Sequence, residues 1–450
     1  MSEVGASATR RYGLIGEKLG HSFSPFLHRA LWEFWARQEK RPAGGFSYGL
    51  YELSREGAGR GRAALDELNL DGLNITIPYK ESFLPALDSV DPTAAAVGAV
   101  NTLARRDNRW YGYNTDYAGF GRMLAAAGIP TPRRAVLLGS GGAARAAAAW
   151  LRDCGTAEVI VISRRPAPAV WARPGTRALG WDALADLRGD LLVNCTPVGT
   201  APHGDVSPVS AAVLSRFTAL ADLVYNPPET EFLRLGRAAG RPVCGGLAML
   251  AAQAAQAEEI WQDRPLPAAV VTRARRLVHL ALTGNFYLIG MPGAGKTTLG
   301  RLWARQTGLI CLDLDEEAER LAGAPIPALF ARGEAEFRRW EQRALRDTVQ
   351  KRGLIVACGG GIVQDPENVL LLRAGGTVLF LDPPLAELRR RANAATRPLL
   401  RAAGDPLAEL WQARRPLYAA AAHGAVPTAG DPAATLAALW DELNRFSRKE

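Results

Sequence analysis

The stretch GMPGAGKT at residues 290–297 fills every fixed position of the phosphate-binding pattern GxxxxGK[ST]. In this pattern the glycines turn backbone N–H groups towards phosphate, the lysine (Lys296) reaches the β and γ phosphates, and the last hydroxyl (Thr297) can bind Mg²⁺. The apolar run at residues 286–289 predicts a strand before the loop, and residues 298–307 predict a helix after it. That context is the one the pattern requires, so we predict that a nucleotide-binding domain begins near residue 286.

The length and composition are typical of a globular protein with several domains. At about 150 residues per domain, a chain of 450 residues predicts about three domains. Apolar residues make up 48% and charged residues 22% of the chain, and no uninterrupted apolar run is long enough to cross a bilayer. The five cysteines have no paired metal-ligand spacing, and the first sixteen residues lack the apolar core of a secretory signal. We therefore predict a cytoplasmic protein with no membrane partner.

Nearly all of the positive charge is arginine, which makes the lysines informative. The net charge is +9, but the arginines are dispersed, so phosphate-bearing small ligands explain the excess as well as nucleic acid would. Only six lysines are present. Because lysine can release a proton and arginine cannot, Lys80 is a candidate functional residue alongside Lys296.

Polar side chains follow the first strands of the chain. Ser22 and Ser24 lie in a loop after a short strand, where they suit a polyol or carboxylate ligand; alternatively, Ser24 simply caps the next helix. The segment DGLNITIPYK at residues 71–80 predicts a strand that presents Lys80 at its carboxyl end. GAVNT at residues 98–102 and GYNTD at residues 112–116 add asparagines and a carboxylate on two loops, although each alone is only a turn signal.

Residues 133–165 predict a strand, a glycine-rich turn, a helix and a second strand. Gly139, Gly141 and Ala144 occupy the GxGxxA positions of a dinucleotide-binding fold. Arg164 and Arg165 follow the second strand, where an acidic residue would bind a ribose hydroxyl. Arginine at that point favours NADP over NAD. The alternative is that the two arginines form a solvated strand end and bind no ligand.

Two later strands lead into NCTPVGT at residues 194–200 and YNPPET at residues 225–230. Since cofactors lie at the carboxyl edge of such sheets, we expect Thr196, Val198 and Leu223 beside the nicotinamide half. Residues 245–261 predict a helix, and its apolar face includes a glutamine that needs a polar partner or a ligand.

The first part of the chain, about residues 12–280, resembles the shikimate dehydrogenases. HSFSP, GLNITIPYK, GAVNT, GYNTD, GSGGAA, NCTPVG, DLVYNP and GLAMLAAQ all occur in the order of that family. The resemblance implies a shikimate site lined by Ser22, Ser24, Asn74, Thr76, Lys80, Asn101, Asp116, Tyr225 and Gln253. It implies NADP contacts at Gly139, Ser140, Gly141, Gly142, Ala143, Ser163, Arg164, Arg165, Thr196, Val198, Leu223 and Gly246. Two positions depart from the family: Ser163-Arg164-Arg165 replaces Asn-Arg-Thr, and Thr200 replaces a frequent Met.

Lys80 and Asp116 would form the catalytic pair of such an enzyme. Reduction of a ketone by hydride transfer needs a proton donor near the forming alkoxide, and a lysine fixed by a carboxylate can supply that proton. The alternative is a surface ion pair without a catalytic role.

The second part of the chain, about residues 286–440, resembles the shikimate kinases. After the phosphate loop come ICLDLDEEAER, GEAEFRRWE, LIVACGGGI, TRPLL and RRPLY in the family order. We expect Asp313 and Asp315 on one face of a strand end. The resemblance implies ATP contacts at Gly290, Gly293, Ala294, Gly295, Lys296, Thr297, Thr298 and Arg397, the last in a lid. It implies a shikimate site formed by Asp315, Arg338, Gly360 and Arg414, a magnesium site at Thr297 and Asp313, and catalytic roles for Lys296 and Asp315. Leu314, in place of the usual Thr or Ser, and Cys358 are small departures.

We therefore predict an α/β protein of three units. Residues 1–117 and 246–282 would form a split substrate-binding domain, and residues 118–245 a Rossmann-type NADP domain. Residues 283–285 would form a linker, and residues 286–450 a parallel-sheet phosphate-loop domain like that of the nucleoside monophosphate kinases. The resemblances imply a bifunctional enzyme of chorismate and aromatic amino acid biosynthesis, with NADP(H), ATP and Mg²⁺ as cofactors.

Two alternatives remain open at this point. The first module could instead oxidise quinate and shikimate with NAD. A non-catalytic regulator on the same folds could bind DNA through its positive charge, although intact Lys80, Asp116, Lys296 and Asp315 argue against it. The predicted partners are 3-dehydroshikimate and shikimate, with no nucleic acid.

Overall fold

The computed structural model describes residues 9–20, 22–43, 45–165, 171, 173–391, 405–428 and 430–448. The chain divides into two units, Met1–Arg275 and Arg276–Glu450. The division falls within one helix, Ala268–Thr283, and the next strand begins at Asn285. Of the predicted linker at residues 283–285, only Gly284 therefore lies between two elements.

The first unit begins with a mixed sheet. Its strands are β1 (Arg10–Gly16), β2 (Phe46–Glu52), β3 (Gly72–Ile75), β4 (Ser89–Val90), β5 (Thr102–Arg106) and β6 (Arg109–Tyr113). Their order is β2-β1-β3-β5-β6-β4. Strand β1 pairs in parallel with β2 and β3, whereas β5 runs antiparallel to β3 and β6. The polar loops after β1 and β3 consequently leave the same edge of the sheet, because parallel strands end on the same side.

Five helices accompany this sheet: α1 (Ser24–Gln38), α2 (Arg55–Gly59), α3 (Arg62–Glu67), α4 (Pro92–Val97) and α5 (Thr115–Ala126). Pro25 lies in the first turn of α1, where its missing N–H costs no hydrogen bond. Ser24 is the first helical residue and makes no side-chain cap, so its alternative role as the N-cap is wrong. Asn114 does cap α5, because its side chain accepts a hydrogen bond from the Tyr117 backbone.

The second sheet of the first unit is entirely parallel. Its strands are β7 (Arg134–Leu138), β8 (Glu158–Ile162), β9 (Thr176–Leu179), β10 (Gly189–Asn194), β11 (Phe217–Asp222) and β12 (Val243–Gly245), and its helices are α6 (Gly142–Asp153), α7 (Ala211–Leu214) and α8 (Glu231–Ala238). The order is β12-β11-β10-β7-β8-β9, so the direction of winding reverses between β7 and β10. In such sheets a ligand binds at that reversal, outside the carboxyl ends of the strands.

Apolar side chains cover both faces of this parallel sheet. Leu137 belongs to the core cluster on one face and Leu138 to the cluster on the other. This burial of both faces explains why the strands read as continuous apolar runs rather than as an alternating pattern.

The chain then returns to the first sheet through α9 (Gly246–Gln262), which α10 (Ala268–Thr283) follows. Trp261 of α9 stacks on Tyr12 of β1 with ring centroids 4.4 Å apart. Its indole Nε1 also donates a hydrogen bond to the Leu103 carbonyl at 2.9 Å. This packing joins α9 to the first sheet, while the assignment of residues 246–282 to a substrate-binding domain stays a prediction.

The second unit contains one parallel sheet: β13 (Asn285–Ile289), β14 (Ile310–Asp313), β15 (Leu354–Ala357), β16 (Gly376–Asp382) and β17 (Gly424–Pro427). The order is β14-β15-β13-β16-β17, with β13 at the centre. The helices are α11 (Lys296–Thr307), α12 (Leu314–Ala322), α13 (Ile326–Ala331), α14 (Glu334–Thr348), α15 (Pro366–Gly375), α16 (Leu385–Arg391), α17 (Pro406–Ala421) and α18 (Pro432–Phe446).

These three sheets with their helices confirm the predicted α/β class. Throughout the ranges given above, every helix is too short or too polar to cross a membrane.

Candidate active sites

A cavity of about 390 Å³ in the first unit gathers all of the predicted shikimate-site residues. They come from α1, β3, α5, α9 and loops of the first unit, and they are Ser22, Ser24, Asn74, Thr76, Lys80, Asn101, Asp116, Tyr225 and Gln253. Residues up to 231 positions apart in the sequence therefore meet at one place. Their individual roles stay predictions.

Lys80 and Asp116 form an ion pair inside this cavity. The Lys80 Nζ lies 2.5 Å from Asp116 Oδ2, and the two side chains are only 17% and 7% exposed. A surface ion pair of little consequence would be far more exposed, so that alternative does not fit this geometry. Lys80 also lies beside the predicted cofactor turn, since a Cβ on Gly142 would be 3.4 Å from its Cδ.

Asn101 fixes the neighbouring polar groups. Its Nδ2 donates to Gln253 Oε1 and to Thr115 Oγ1, each at 3.0 Å, and its Oδ1 accepts from the Thr115 backbone at 2.7 Å. Gln253 thus has the polar partner that its apolar helix requires. Because Asn101 occupies its amide oxygen, the Gln253 NH₂ group remains available for a ligand in the cavity it lines.

Both polar atoms of the Asn74 side chain have protein partners. Tyr48 donates to its Oδ1 at 2.8 Å, and its Nδ2 donates to Thr102 Oγ1 at 3.0 Å. Tyr48 also shares a hydrogen bond with the Ser24 side chain. Burial raises the pKa of Tyr48 well above the ordinary value, so the phenol stays protonated and can donate. Tyr48 therefore connects two of the predicted shikimate residues.

His28 is a cavity residue that the sequence reasoning missed. It lines the cavity, is 2% exposed, and pairs through Nδ1 with the buried Glu258 at 2.7 Å. It lies one helical turn after Ser24, so the (i, i+4) spacing on α1 could have revealed it. Its partner is 230 residues away and left no local signal.

Most of the predicted NADP residues lie in loops at the carboxyl ends of the strands of the parallel sheet. Gly139 has a φ of +103°, and a Cβ there would lie 3.1 Å from Thr196 Cγ2, so the turn needs glycine. Helix α6 begins without a side-chain cap, which leaves its first N–H groups free for a phosphate. Ser140 and Ser163 share a hydrogen bond at 3.0 Å, and Arg164 and Arg165 are exposed. These features fit a dinucleotide that carries an additional phosphate.

Three of the predicted NADP residues, Ala143, Leu223 and Gly246, also line the first cavity. A Cβ on Gly246 would lie 2.3 Å from the Leu223 carbonyl oxygen, so this close approach requires glycine. The remaining predicted NADP residues lie outside this cavity, along the carboxyl ends of β7, β8, β10 and the start of α6.

A second cavity, of about 640 Å³, lies in the second unit. It contains the predicted nucleotide and substrate residues Gly293, Ala294, Gly295, Lys296, Thr297, Thr298, Asp313, Asp315, Arg338, Gly360 and Arg414. Gly290 does not line it but belongs to the same loop, and Arg397 lies outside the described residues.

The phosphate loop has the backbone that its sequence predicts. Gly293 and Gly295 have φ of +89° and +92°, and helix α11 starts without a side-chain cap. The Lys296 Nζ donates to the carbonyls of Gly290 and Met291 at 2.9 and 3.0 Å. A cationic amine and free N–H groups at one helix start fit a nucleotide phosphate.

Thr297 and Asp313 lie together, as the predicted magnesium site requires. The Thr297 hydroxyl donates to Asp313 Oδ2 at 2.6 Å. The residues that the structure describes contain no cluster of three metal-ligating side chains. That donor set still fits Mg²⁺, which takes one or two protein oxygens and completes its shell with phosphate and water.

Asp315 differs from its predicted setting. Strand β14 ends at Asp313, which caps helix α12 by accepting from the Asp315 backbone at 3.0 Å, so Asp315 is helical rather than part of the strand. Its Oδ1 is buried and has no hydrogen-bond partner among the described residues. Burial, and secondarily the Asp313 charge, raise the pKa of Asp315 above its ordinary value. A buried acceptor of this kind fits a substrate hydroxyl.

The predicted carboxylate clamp is partly occupied by the protein itself. Arg338 donates to Glu341 Oε2 at 2.7 Å and to Glu334 at 2.9 Å, while Arg414 donates to the Gly360 carbonyl at 3.0 Å. Glu341 is fully buried, lines the cavity, and has Oε1 unpaired within the described ranges. The sequence reasoning missed Glu341, although its position in GEAEFRRWE, three residues after Arg338, was a signal.

Comparison with known proteins agrees with both parts of this description. The family described as shikimate dehydrogenase substrate binding domain matches residues 14–103, and the shikimate kinase family matches residues 292–443. The shikimate dehydrogenase (NADP(+)) of Clostridium beijerinckii is 39% identical over 254 residues, which cover 56% of this chain and 92% of that protein. The enzyme of the same name from Moorella thermoacetica is 36% identical over 311 residues, or 66% of this chain and 100% of that protein.

A solved structure gives the same result for the first unit. Shikimate 5-dehydrogenase from Thermus thermophilus, in complex with NADP(H) and shikimate, is 36% identical with a TM-score of 0.52. The match covers 60% of this chain and 99% of that one. The chain therefore belongs to the shikimate dehydrogenase family and carries, fused behind that module, a shikimate kinase domain.

Proposed function

We propose that this chain catalyses two consecutive reactions: the reduction of 3-dehydroshikimate to shikimate with NADPH, and the phosphorylation of shikimate to shikimate 3-phosphate with ATP. The observation that carries the proposal is the presence of two separate cavities, each lined by the substrate residues expected for one of the two steps. Five free cysteines, with no disulfide between them, support a cytoplasmic setting.

In the first unit, Lys80 holds and delivers the proton. Bound NADPH supplies the hydride. The ion pair with Asp116 keeps Lys80 Nζ at one point of the cavity wall, where it can protonate the ketone oxygen as charge develops on it. Asn101, Gln253, Ser22, Ser24 and Tyr225 line the same cavity and would contact the hydroxyl and carboxylate groups of the substrate.

In the second unit, the residues position the substrate and neutralise charge. Bound ATP with Mg²⁺ supplies the phosphoryl group. Asp315 Oδ1 accepts the proton of the attacking hydroxyl, and its raised pKa makes it a better base than an ordinary aspartate. Lys296 offsets the phosphate charge, while Arg338 and Arg414 bind the substrate carboxylate.

The order and direction of the two steps can be tested in one vessel. The protein is incubated with 3-dehydroshikimate, NADPH and Mg-ATP, and the products are identified by mass spectrometry. We expect shikimate 3-phosphate, and only shikimate when ATP is omitted. Parallel reactions with NADH and with quinate test the rival cofactor and substrate. Accumulation of shikimate in the presence of ATP would refute the kinase step, and faster turnover of quinate with NAD would favour the catabolic alternative.

The triple glycine of the second cavity gives a further prediction. A Cβ on Gly359 would lie 2.4 Å from Glu341 Oε1 and 2.7 Å from Asp315 Oδ1. Gly359→Ala should therefore displace the catalytic carboxylate and lower kinase kcat/KM by about 10- to 100-fold. This range corresponds to the free energy of about 1–3 kcal/mol that an added methyl group typically costs in a well-packed site. Shikimate oxidation by the same preparation serves as the control and should be unchanged. Normal phosphorylation in this variant would show that the close contact is not needed.

A further inference from the structure

A buried carboxylate in the first unit has no part in the chemistry described above. Asp222 ends strand β11, is 0% exposed and lies outside the cavity. We propose that Asp222 is a positioning residue, which holds the cofactor loop (residues 194–200) and the substrate loop (residues 222–230) in a single geometry. The inference rests on the proposed dehydrogenase function and names a group that this function requires.

Among the residues that the structure describes, every hydrogen bond to the Asp222 carboxylate comes from one of these two loops. Its Oδ1 accepts from Asn194 Nδ2 at 2.9 Å and from the Val224 backbone at 3.0 Å. Its Oδ2 accepts from Thr230 Oγ1 at 2.6 Å. Two of these partners are N–H groups, which can only donate, and the Thr230 hydroxyl donates here as well. An ionised carboxylate accepts from all three at once.

On the cofactor side, Asp222 determines which way the Asn194 amide points. The two residues are opposite each other in the pairing of β10 with β11. Since Asn194 must turn its NH₂ to the carboxylate, its oxygen faces Thr196, whose backbone and hydroxyl donate to it at 3.0 and 2.7 Å. The same NH₂ group donates to the Val198 carbonyl at 3.1 Å. Through Asn194, Asp222 thereby fixes the positions of Thr196 and Val198, the two predicted cofactor residues of this loop.

On the substrate side, Asp222 anchors the residues that flank Tyr225. The Val224 N–H is bound by the carboxylate, and the Val224 carbonyl accepts from Gly246 at 3.2 Å. Leu223 and Tyr225, on either side of Val224, both line the cavity. Thr230 closes the loop and also caps helix α8, by accepting from Leu233. A change of charge at Asp222 should therefore alter the binding of the cofactor and of the substrate together.

Asparagine at this position changes polarity without changing volume. With its NH₂ group towards Asn194 and Val224, the amide would face two N–H donors. With its NH₂ group towards Thr230, the hydroxyl would have to turn round and accept, so the hydrogen bond that Thr230 now donates would be lost. Protonation of Asp222 places an O–H in the same surroundings. Burial raises the pKa of Asp222 to about 6, against the lowering effect of its three hydrogen bonds. The facing titratable groups are the thiols of Cys195 and Cys244, which stay uncharged because burial raises the pKa of each.

The test compares wild type with Asp222→Asn from pH 5 to pH 8. At pH 8 we expect the variant to raise KM for NADP⁺ and for shikimate together, each by about tenfold, the equivalent of one hydrogen bond to a charged group. The wild-type KM for shikimate should rise as the pH falls through about 6, because Asp222 then binds a proton, whereas the variant should lack this rise. Thr230→Ser keeps the hydroxyl and should behave as wild type.

Asp190→Asn is the matched control, because Asp190 accepts backbone hydrogen bonds from Arg133 and Arg134 at the exposed opposite end of the same sheet. It should leave both KM values unchanged. Unaltered KM values in a folded Asp222→Asn protein, or a loss of thermal stability alone, would overturn the proposal. Titration of NADPH fluorescence measures cofactor binding without turnover, so failure of the shikimate reaction itself is distinguishable from failure of this inference.

Discussion

Replacing Lys80 with arginine should lower kcat for shikimate oxidation by about 10²- to 10⁴-fold, the usual contribution of a general acid or base. Arginine retains the positive charge and can pair with Asp116, but it cannot release a proton. The binding of shikimate and NADP⁺ should therefore change far less than kcat. Steady-state kinetics and calorimetric titration of shikimate measure the two effects separately.

Two controls make this result specific. Lys40→Arg makes the same change at an exposed lysine outside the cavity and should leave kcat unaltered. Shikimate phosphorylation by the Lys80→Arg protein should also proceed at the wild-type rate, since its residues belong to the other unit. A Lys80→Arg enzyme with near-normal kcat would remove Lys80 from the role of proton donor.

Asp315→Asn should lower kcat for shikimate phosphorylation by about 10²- to 10⁴-fold. The amide has nearly the same size but cannot take the proton of the attacking hydroxyl. Because Asp315 Oδ1 has no hydrogen-bond partner among the described residues, the substitution should break no contact of the ligand-free protein. Because burial raises the pKa of Asp315, its charge costs stability at neutral pH, so we expect equal or higher thermal stability and an intact dehydrogenase activity.

Glu316→Gln is the matched control for this variant. Glu316 is the next residue of the same helix, is exposed, and pairs with Arg301 at the surface. Its kinase rate should stay within about twofold of wild type, as expected for a weak surface ion pair. Unchanged phosphorylation by Asp315→Asn would show that another group accepts the proton.

The sequence predicted those features of the fold that short-range patterns encode. The glycine turns at residues 139–144 and 290–297 occur between a strand and a helix, and their spacing reflects the local geometry of phosphate binding. The residues that the family motifs predicted for shikimate also meet in one cavity, because parallel strands carry their loops to one edge of the sheet.

Features that depend on distant contacts were not predictable from local patterns. His28 becomes a cavity residue through the packing of α1, and its partner Glu258 lies 230 positions away. The predicted position of Asp315 on the strand was wrong because the strand ends at Asp313, which caps helix α12. The two-residue alternation of a strand therefore does not extend to Asp315. The Asp222 network was equally hidden, since each of its donors looks like an ordinary turn residue in the sequence.

The contacts of Arg338 and Arg414 affect how the kinase site would bind its substrate. Both guanidinium groups already have protein partners in the absence of a ligand, Glu341 and Glu334 for one and the Gly360 carbonyl for the other. An arriving carboxylate must therefore compete with Glu341 and Glu334 at Arg338, whereas Arg414 has five N–H donors and can keep its bond to Gly360 while it binds the substrate. Side chains held in place in this way would give up part of their electrostatic affinity but would lose little conformational entropy on binding.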